Sequence, residues 1–284
     1  MTLDFSYAHS CKLLLPAFRH VHLIQVGAGG TGSWLFPHVA RTARLLIEKF
    51  QIPTRVLLID GDRVEAKNVF RQNFSDAEVG RNKAQTLALR YGAAWGVEVT
   101  AVPRFLDELF QPPSMDGWQG ELEVWIGCVD NHLARRCIAG LVRRADYHGS
   151  ARSWWLDCGN GQSTGQVLLG CQPVSADPFV LPGFCAALPL PSVQHPELLD
   201  PEIPAQKSTE NVQPSCGDQT MIDEQGLSIN AMIASLATNH LFRMLLTKDL
   251  MTFATYVDLS AGVVRSKYIT RETLVESSHE PLNE

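Results

Sequence analysis

No C-x-x-C pair occurs in this chain, and its seven cysteines, at 11, 128, 137, 158, 171, 185 and 216, are odd in number. Neither a disulfide framework nor a structural zinc site is therefore expected, and a reducing, cytoplasmic setting fits best. No apolar run reaches the ~18 uncharged residues of a membrane span, so no membrane role is expected. Residues 1–10 lack a charged start followed by an apolar core, so no secretory signal is read. Lysines and arginines are scattered and the formal net charge is −6. A dedicated nucleic-acid binder would carry a clustered basic face, which makes nucleic acid a poor partner but leaves it open.

What is present is an apolar fraction of 45% over 284 residues, ample for a sizeable core. Length alone allows one large α/β domain or two small ones. Residues 21–32, VHLIQVGAGGTG, hold a short β-branched run, then glycines at 27, 29, 30 and 32, then a helical run through 46. Strand, glycine turn and helix in that order mark a nucleotide-site candidate. Glycine permits the tight turn and lets backbone approach phosphate, while a helix N-terminus offers unpaired N–H groups. Residues 55–60, RVLLID, read as a second buried strand ending in Asp60, an acid placed to bond ribose hydroxyls. It follows Gly32 by 28 positions, more than the usual ~20; a long first helix and its loop over 48–54 account for the excess.

Further strands are expected over 97–102, 124–129, 154–158 and 165–169, with helices over 79–91, 133–145 and 228–247. A hairpin-like pair is expected over 254–259 and 262–269. Residues 1–20 read as an irregular arm, with Phe5, Tyr7 and residues 13–16 packing on the domain. Nine of the sixteen prolines fall within 171–216, which excludes continuous helix or central strand there. That stretch reads as a long, partly mobile crossover loop, and residues 272–284 as a frayed polar tail. No internal repeat is visible. Cys128, Cys137 and Cys158, in apolar runs, read as inert core thiols, and the Trp154-Trp155 pair and His22 as core.

Four motifs stand in order: GAGGTGS at 27–33, D-x-D-x-V-x-x-x-N-x-x-R-Q at 60–72, VGRNKA at 79–84 and CVDNHLARR at 128–136. With these the chain resembles the superfamily of ThiF, MoeB and the ubiquitin-activating enzymes, and looks most like the stand-alone ThiF-type proteins of the PRTRC system. The resemblance spans roughly residues 21–247. It implies one adenylation domain over 1–284, Rossmann-like, with a mixed, mostly parallel sheet and helices on both faces, in a homodimer. It also implies adenylation of the C-terminal glycine carboxylate of a ubiquitin-like or sulfur-carrier protein by ATP and Mg2+. By the same resemblance Asp60 and Asp62 belong to the nucleotide site, and Asn68, Arg71, Gln72 and Lys83 supply donors and positive charge to the phosphates. Asp130 would hold Mg2+. Asn131 belongs to the nucleotide site and also caps the helix behind it, and Arg135, in the same site, either meets the adenine side or braces a neighbouring loop. Cys216, in PSCG ahead of an apolar helix, is the candidate nucleophile for a following thioester, since a thiol near a helix N-terminus has its pKa lowered.

The pattern departs from its relatives in two places. Paired zinc-binding cysteines are absent, and so is the arginine element before the first strand that reaches a partner subunit's ATP. Three other functions remain on the page. A tRNA-modifying relative would adenylate a nucleoside carboxylate. A non-catalytic partner would keep nucleotide binding without turnover. A nicotinamide-dependent oxidoreductase would share the glycine turn and Asp60 but has no use for Asn68, Arg71 or Lys83.

Overall fold

The computed structural model describes residues 6–112, 120–145, 152–172, 177–200 and 218–278. In chain order its elements are β1 (Lys12–Leu13), β2 (His20–Val26), α1 (Gly30–Phe50), β3 (Thr54–Ile59), α2 (Lys83–Trp95) and β4 (Val99–Val102). They continue with β5 (Glu121–Gly127), α3 (His132–Ala145), β6 (Ser153–Asn160), β7 (Thr164–Cys171), β8 (Phe184–Cys185) and α4 (Pro191–Gln194). The last are α5 (Asp218–Phe242), β9 (Thr252–Asp258), β10 (Val263–Tyr268) and α6 (Arg271–Ser278).

Eight strands form one sheet in the order β10-β9-β7-β6-β5-β2-β3-β4. The pairs from β6 through to β4 are parallel, and those from β6 out to β10 antiparallel. The sheet is thus mixed and mostly parallel, as expected. Side chains alternate along each strand, and here they sort into two cores. Val21, Leu23, Val56, Leu58, Val124 and Ile126 pack with Leu35, Phe36 and Val39 of α1 and Ile229 and Ile233 of α5. On the opposite face Ile24, Val26, Leu57, Ile59 and Trp125 pack with Ile138 and Val142 of α3. Burial on both faces is why these strands read as continuous apolar runs.

β2 lies between β3 on one side and β5 on the other. The chain therefore changes direction across the sheet beyond the carboxyl end of β2, the place where open α/β sheets leave a crevice for ligands. The 21 residues of α1 account for the long interval between Gly32 and Asp60.

Four expectations need correction. The arm over 1–20 contains β1, which pairs in parallel with β8; two-residue strands carry no periodic signal. The stretch over 171–216 is not a bare loop within its described part. It contains β8 and α4, and it buries Cys185, Leu188 and Leu190. Pro191 opens α4 at its first turn, where a missing N–H costs nothing. The helix expected from 79 starts at Lys83 instead, because Asn82 caps it by accepting from the Gln85 N–H at 3.0 Å. The tail is helical over Arg271–Ser278, with Leu274 and Ser277 buried and Lys267 Nζ donating to Ser277 Oγ at 3.0 Å. Phe5, Cys216 and residues 279–284 lie outside the described residues. Among the described residues no helix is long and apolar enough to cross a membrane.

Candidate functional site

The crevice beyond β2 is a cleft of about 950 Å3. Its rear is the glycine turn. Gly27 has φ +96°, and a Cβ there would stand 2.3 Å from the Cys128 carbonyl oxygen. A Cβ on Gly32 would stand 2.2 Å from the Gly27 carbonyl oxygen. These two glycines are required by close packing of turn, strand and helix. Gly27, Gly29 and Gly30 line the cleft, whereas Gly32 lies behind it. Gly29 caps α1 without a side-chain hydrogen bond, so the first-turn N–H groups remain available to an anion.

Asp60 is the hinge between turn and side wall. Its Oδ2 accepts the Ala28 N–H at 2.6 Å and its Oδ1 the Asp62 N–H at 2.8 Å. Burial pushes its pKa up, and the two backbone N–H groups pull against that rise. Asn82 Nδ2 donates to the carbonyls of Asp60 and Asp62, which fixes this loop to the start of α2. Lys83, nearly buried, places Nζ 3.2 Å from Asp62 Oδ2. The cation is thus held beside the cleft by a partly exposed carboxylate that also lines it.

The Asn68–Gln72 wall comes from a 3-10 turn, Ala66–Asn68. Asn68 Oδ1 accepts the Glu65 N–H at 2.9 Å and closes the turn as a capping box. Trp34 Nε1 donates to the Arg71 carbonyl, and Ser33 Oγ accepts the Asn73 N–H. The wall is therefore anchored on α1. Arg71 and Gln72 both line the cleft, and Gln72 Oε1 is buried with no hydrogen-bond partner among the described residues.

Asp130 and Asn131, both exposed, follow β5 on the opposite lip. Asn131 Oδ1 accepts the Ala134 N–H at 2.9 Å and caps α3. Arg135 lines the cleft while its Nε donates to Asp157 Oδ1 at 3.1 Å. The contact it makes is to a neighbouring strand, where the expected alternatives were the adenine side or a neighbouring loop. Asp157 is fully buried in β6, its pKa raised by burial with Arg135 opposing, and its Oδ2 has no hydrogen-bond partner among the described residues.

Of the expected residues that are described, all except Gly32 therefore line one cleft, and Cys216 lies outside the described residues. Sequence reasoning missed Asp157, and it missed a polar link in which Thr31 Oγ1 donates to Asn160 Oδ1 at 2.9 Å. Asn160 Nδ2 in turn donates to Asn230 Oδ1 at 3.0 Å. It missed the apolar lip too, formed by Phe105, Leu106 and Leu133, with the Phe105 ring pressed on Gly61. Phe105 and Leu133 are exposed, and such residues were the available signal. Cys128, expected as inert core, is half-buried and lines the cleft with Cys137 and Cys158.

Fold and cleft together define a Rossmann-like α/β protein with a glycine turn at its switch point. The sequence model of the ThiF family matches residues 11–270, and the chain belongs to that family. No curated protein sequence matches it. Among solved structures, E. coli MccB with ATP is similar at TM-score 0.55 and 15% identity, over 89% of this chain and 64% of that one. The microcin C7 biosynthetic enzyme MccB in complex with N-formylated MccA is similar at TM-score 0.53 and 14% identity, over 89% and 66%. The chain spans slightly less than two thirds of the length of these solved chains. At such identities the likeness is one of fold.

Proposed function

We propose that this protein uses ATP to adenylate the C-terminal carboxylate of a small protein partner of the ubiquitin-like or sulfur-carrier class. The observation that carries the reading is the gathering of Asp60, Asn68, Arg71, Gln72, Lys83 and Asp130 around one cleft at the switch point. The similar MccB structures with ATP and in complex with N-formylated MccA support a nucleotide and a second molecule bound by the same kind of fold.

The chemistry brings two anions together. The partner's carboxylate oxygen attacks the α-phosphorus, the bond to the bridging oxygen breaks, and pyrophosphate leaves. Charge accumulates on the phosphate oxygens, and fixed donors in a water-poor site stabilise it by a few kcal/mol each, on the order of 100-fold in rate. The α1 N-terminus faces the phosphates, Arg71 and Lys83 bring positive charge, and Asn68 and Gln72 bring neutral donors. Asp60, already clamped by two N–H groups, keeps lone pairs for ribose hydroxyls. Asp130 suits Mg2+, since that ion takes one or two carboxylates and relies on phosphate and water for the rest. No group of three or more potential metal-ligating side chains occurs among the described residues. When bound, Mg2+ neutralises phosphate charge.

In this reading residues 1–284 form one adenylation domain, cytoplasmic and homodimeric, of the PRTRC-type branch. Cys216 would take the activated acyl group as a thioester, releasing AMP. The test is ATP–pyrophosphate exchange. Exchange should require Mg2+ and a cognate small protein, and should fall by about 10²–10³ on Arg71→Ala. Exchange that survives both Arg71→Ala and Asp130→Ala overturns the site. Cys216→Ala should leave exchange intact and remove a thiol-sensitive adduct; absence of any adduct with the native protein removes the thioester step.

A further inference from the structure

The adenylation chemistry makes no use of the thiols in the cleft wall. Cys128 follows β5 and Cys158 lies in β6, and the last paired residues of these parallel strands are Gly127 and Asp157. Cys128 and Cys158 are each the next residue after that last pair, so the register carried one step further would set them opposite each other. Neighbouring strands lie ~4.8 Å apart, inside the ~4.4–6.8 Å between Cα atoms that a disulfide spans. Cys128 packs against the apolar cluster that contains Cys158. Both side chains line the cleft, Cys128 half-buried and Cys158 buried.

We propose that Cys128 and Cys158 form an oxidisable dithiol in the cleft wall, a modification site for peroxide-class oxidants that joins β5 to β6. Cys128 is the sulfur a solute in the cleft can reach. It attacks one oxygen of hydrogen peroxide, giving a sulfenic acid and one water. The Cys158 sulfur then displaces the hydroxyl, which leaves with the Cys158 proton as a second water. Two thiols lose two electrons in total, and peroxide is reduced to two waters. The same spacing suits a trivalent arsenical, which forms two S–As bonds and releases one water.

Another pair serves as an internal control. Cys185 stands opposite Leu13, two residues beyond Cys11, and its thiol donates to the Ala187 carbonyl at 3.0 Å.

The site stands apart from the adenylation reading, because the link forms or fails whether or not a nucleotide binds. The full chain is treated with hydrogen peroxide, remaining thiols are blocked with N-ethylmaleimide, and the unreduced digest is read by mass spectrometry. The dominant product should be the Cys128 peptide linked to the Cys158 peptide, and Cys128→Ser should abolish it. Native protein should also bind one equivalent of phenylarsine oxide and lose two alkylatable thiols at 128 and 158, a measurement that needs no variant. Peroxide links that favour Cys11–Cys185, or an arsenical that protects neither residue, would overturn the proposal.

Discussion

The two halves of the sheet handle polar side chains in opposite ways. In β5-β2-β3-β4 every strand runs in one direction, so all carboxyl ends open on one edge. Gly27 after β2, Asp60 after β3, Phe105 beyond β4 and Asp130 beyond β5 thereby reach one cleft although the chain separates them widely. In β7-β9-β10 neighbouring strands oppose each other, and polar groups bond among themselves. Thr255 Oγ1 and Ser266 Oγ are 2.9 Å apart across β9 and β10. Tyr256 OH lies 2.8 Å from His195 Nε2, whose Nδ1 is 2.8 Å from Glu197 Oε1. A shared direction gathers the residues that follow each strand at one end, whereas alternation leaves polar groups to bond across neighbouring strands.

The boundary between the halves gives the largest expected effect. Asp157→Ala leaves the Arg135 guanidinium without its buried partner and should cost about 3–5 kcal/mol, read from urea unfolding. The exposed Arg271–Asp177 pair is the contrast, and Asp177→Ala should leave the midpoint unmoved. Equal effects at the two positions would erase the distinction between the buried and the exposed pair.

Next come the two halves themselves. Arg71→Ala in the parallel half should remove about 3–4 kcal/mol of transition-state stabilisation in the exchange assay. Tyr256→Phe in the antiparallel half should leave exchange intact. If Tyr256→Phe abolished exchange, the antiparallel half would belong to the site.

Acid should press on both halves together. Burial pulls the pKa of His22 in β2 and of His240 in α5 down to about 4 from the ordinary 6.5, with Arg55 and Arg243 adding to the effect. Unfolded chains then bind protons that the folded protein refuses. Stability is full above pH 6.5 and is lost as pH falls toward 4, by on the order of 2–3 kcal/mol for each group. Urea midpoints at pH 7 and pH 4.5 measure the slope, and His240→Gln should flatten it. A slope unchanged by that substitution would remove His240 as a cause. The smallest effect is the stability cost of Tyr256→Phe, about 1 kcal/mol for one lost hydrogen bond, read from the same urea curves.

The doubly buried strands were legible because burial on both faces writes a largely apolar run, as in residues 21–26 and 56–59. The cleft was legible through motifs that put chemistry at strand ends. Asp157 was hidden, since an acid inside WWLDC shows its partner only when α3 lies across β6. The Thr31–Asn160–Asn230 link draws on three elements, and no single window contains it. β1 and β8 are too short to imprint a period. α6 was misread because its polar composition outweighed a single inward Leu274.

The turn of α1 carries a constraint of a different origin from phosphate binding. A methyl group on Gly30 would sit 2.6 Å from Asn230 Oδ1 and 2.8 Å from its Nδ2. A side chain at position 30 thus requires the Asn230 amide on the far helix to shift, which couples the two sites. Among natural variants, a residue larger than glycine at 30 should travel with a smaller one at 230. In the laboratory, Asn230→Ala should rescue a Gly30→Ala protein that folds poorly alone.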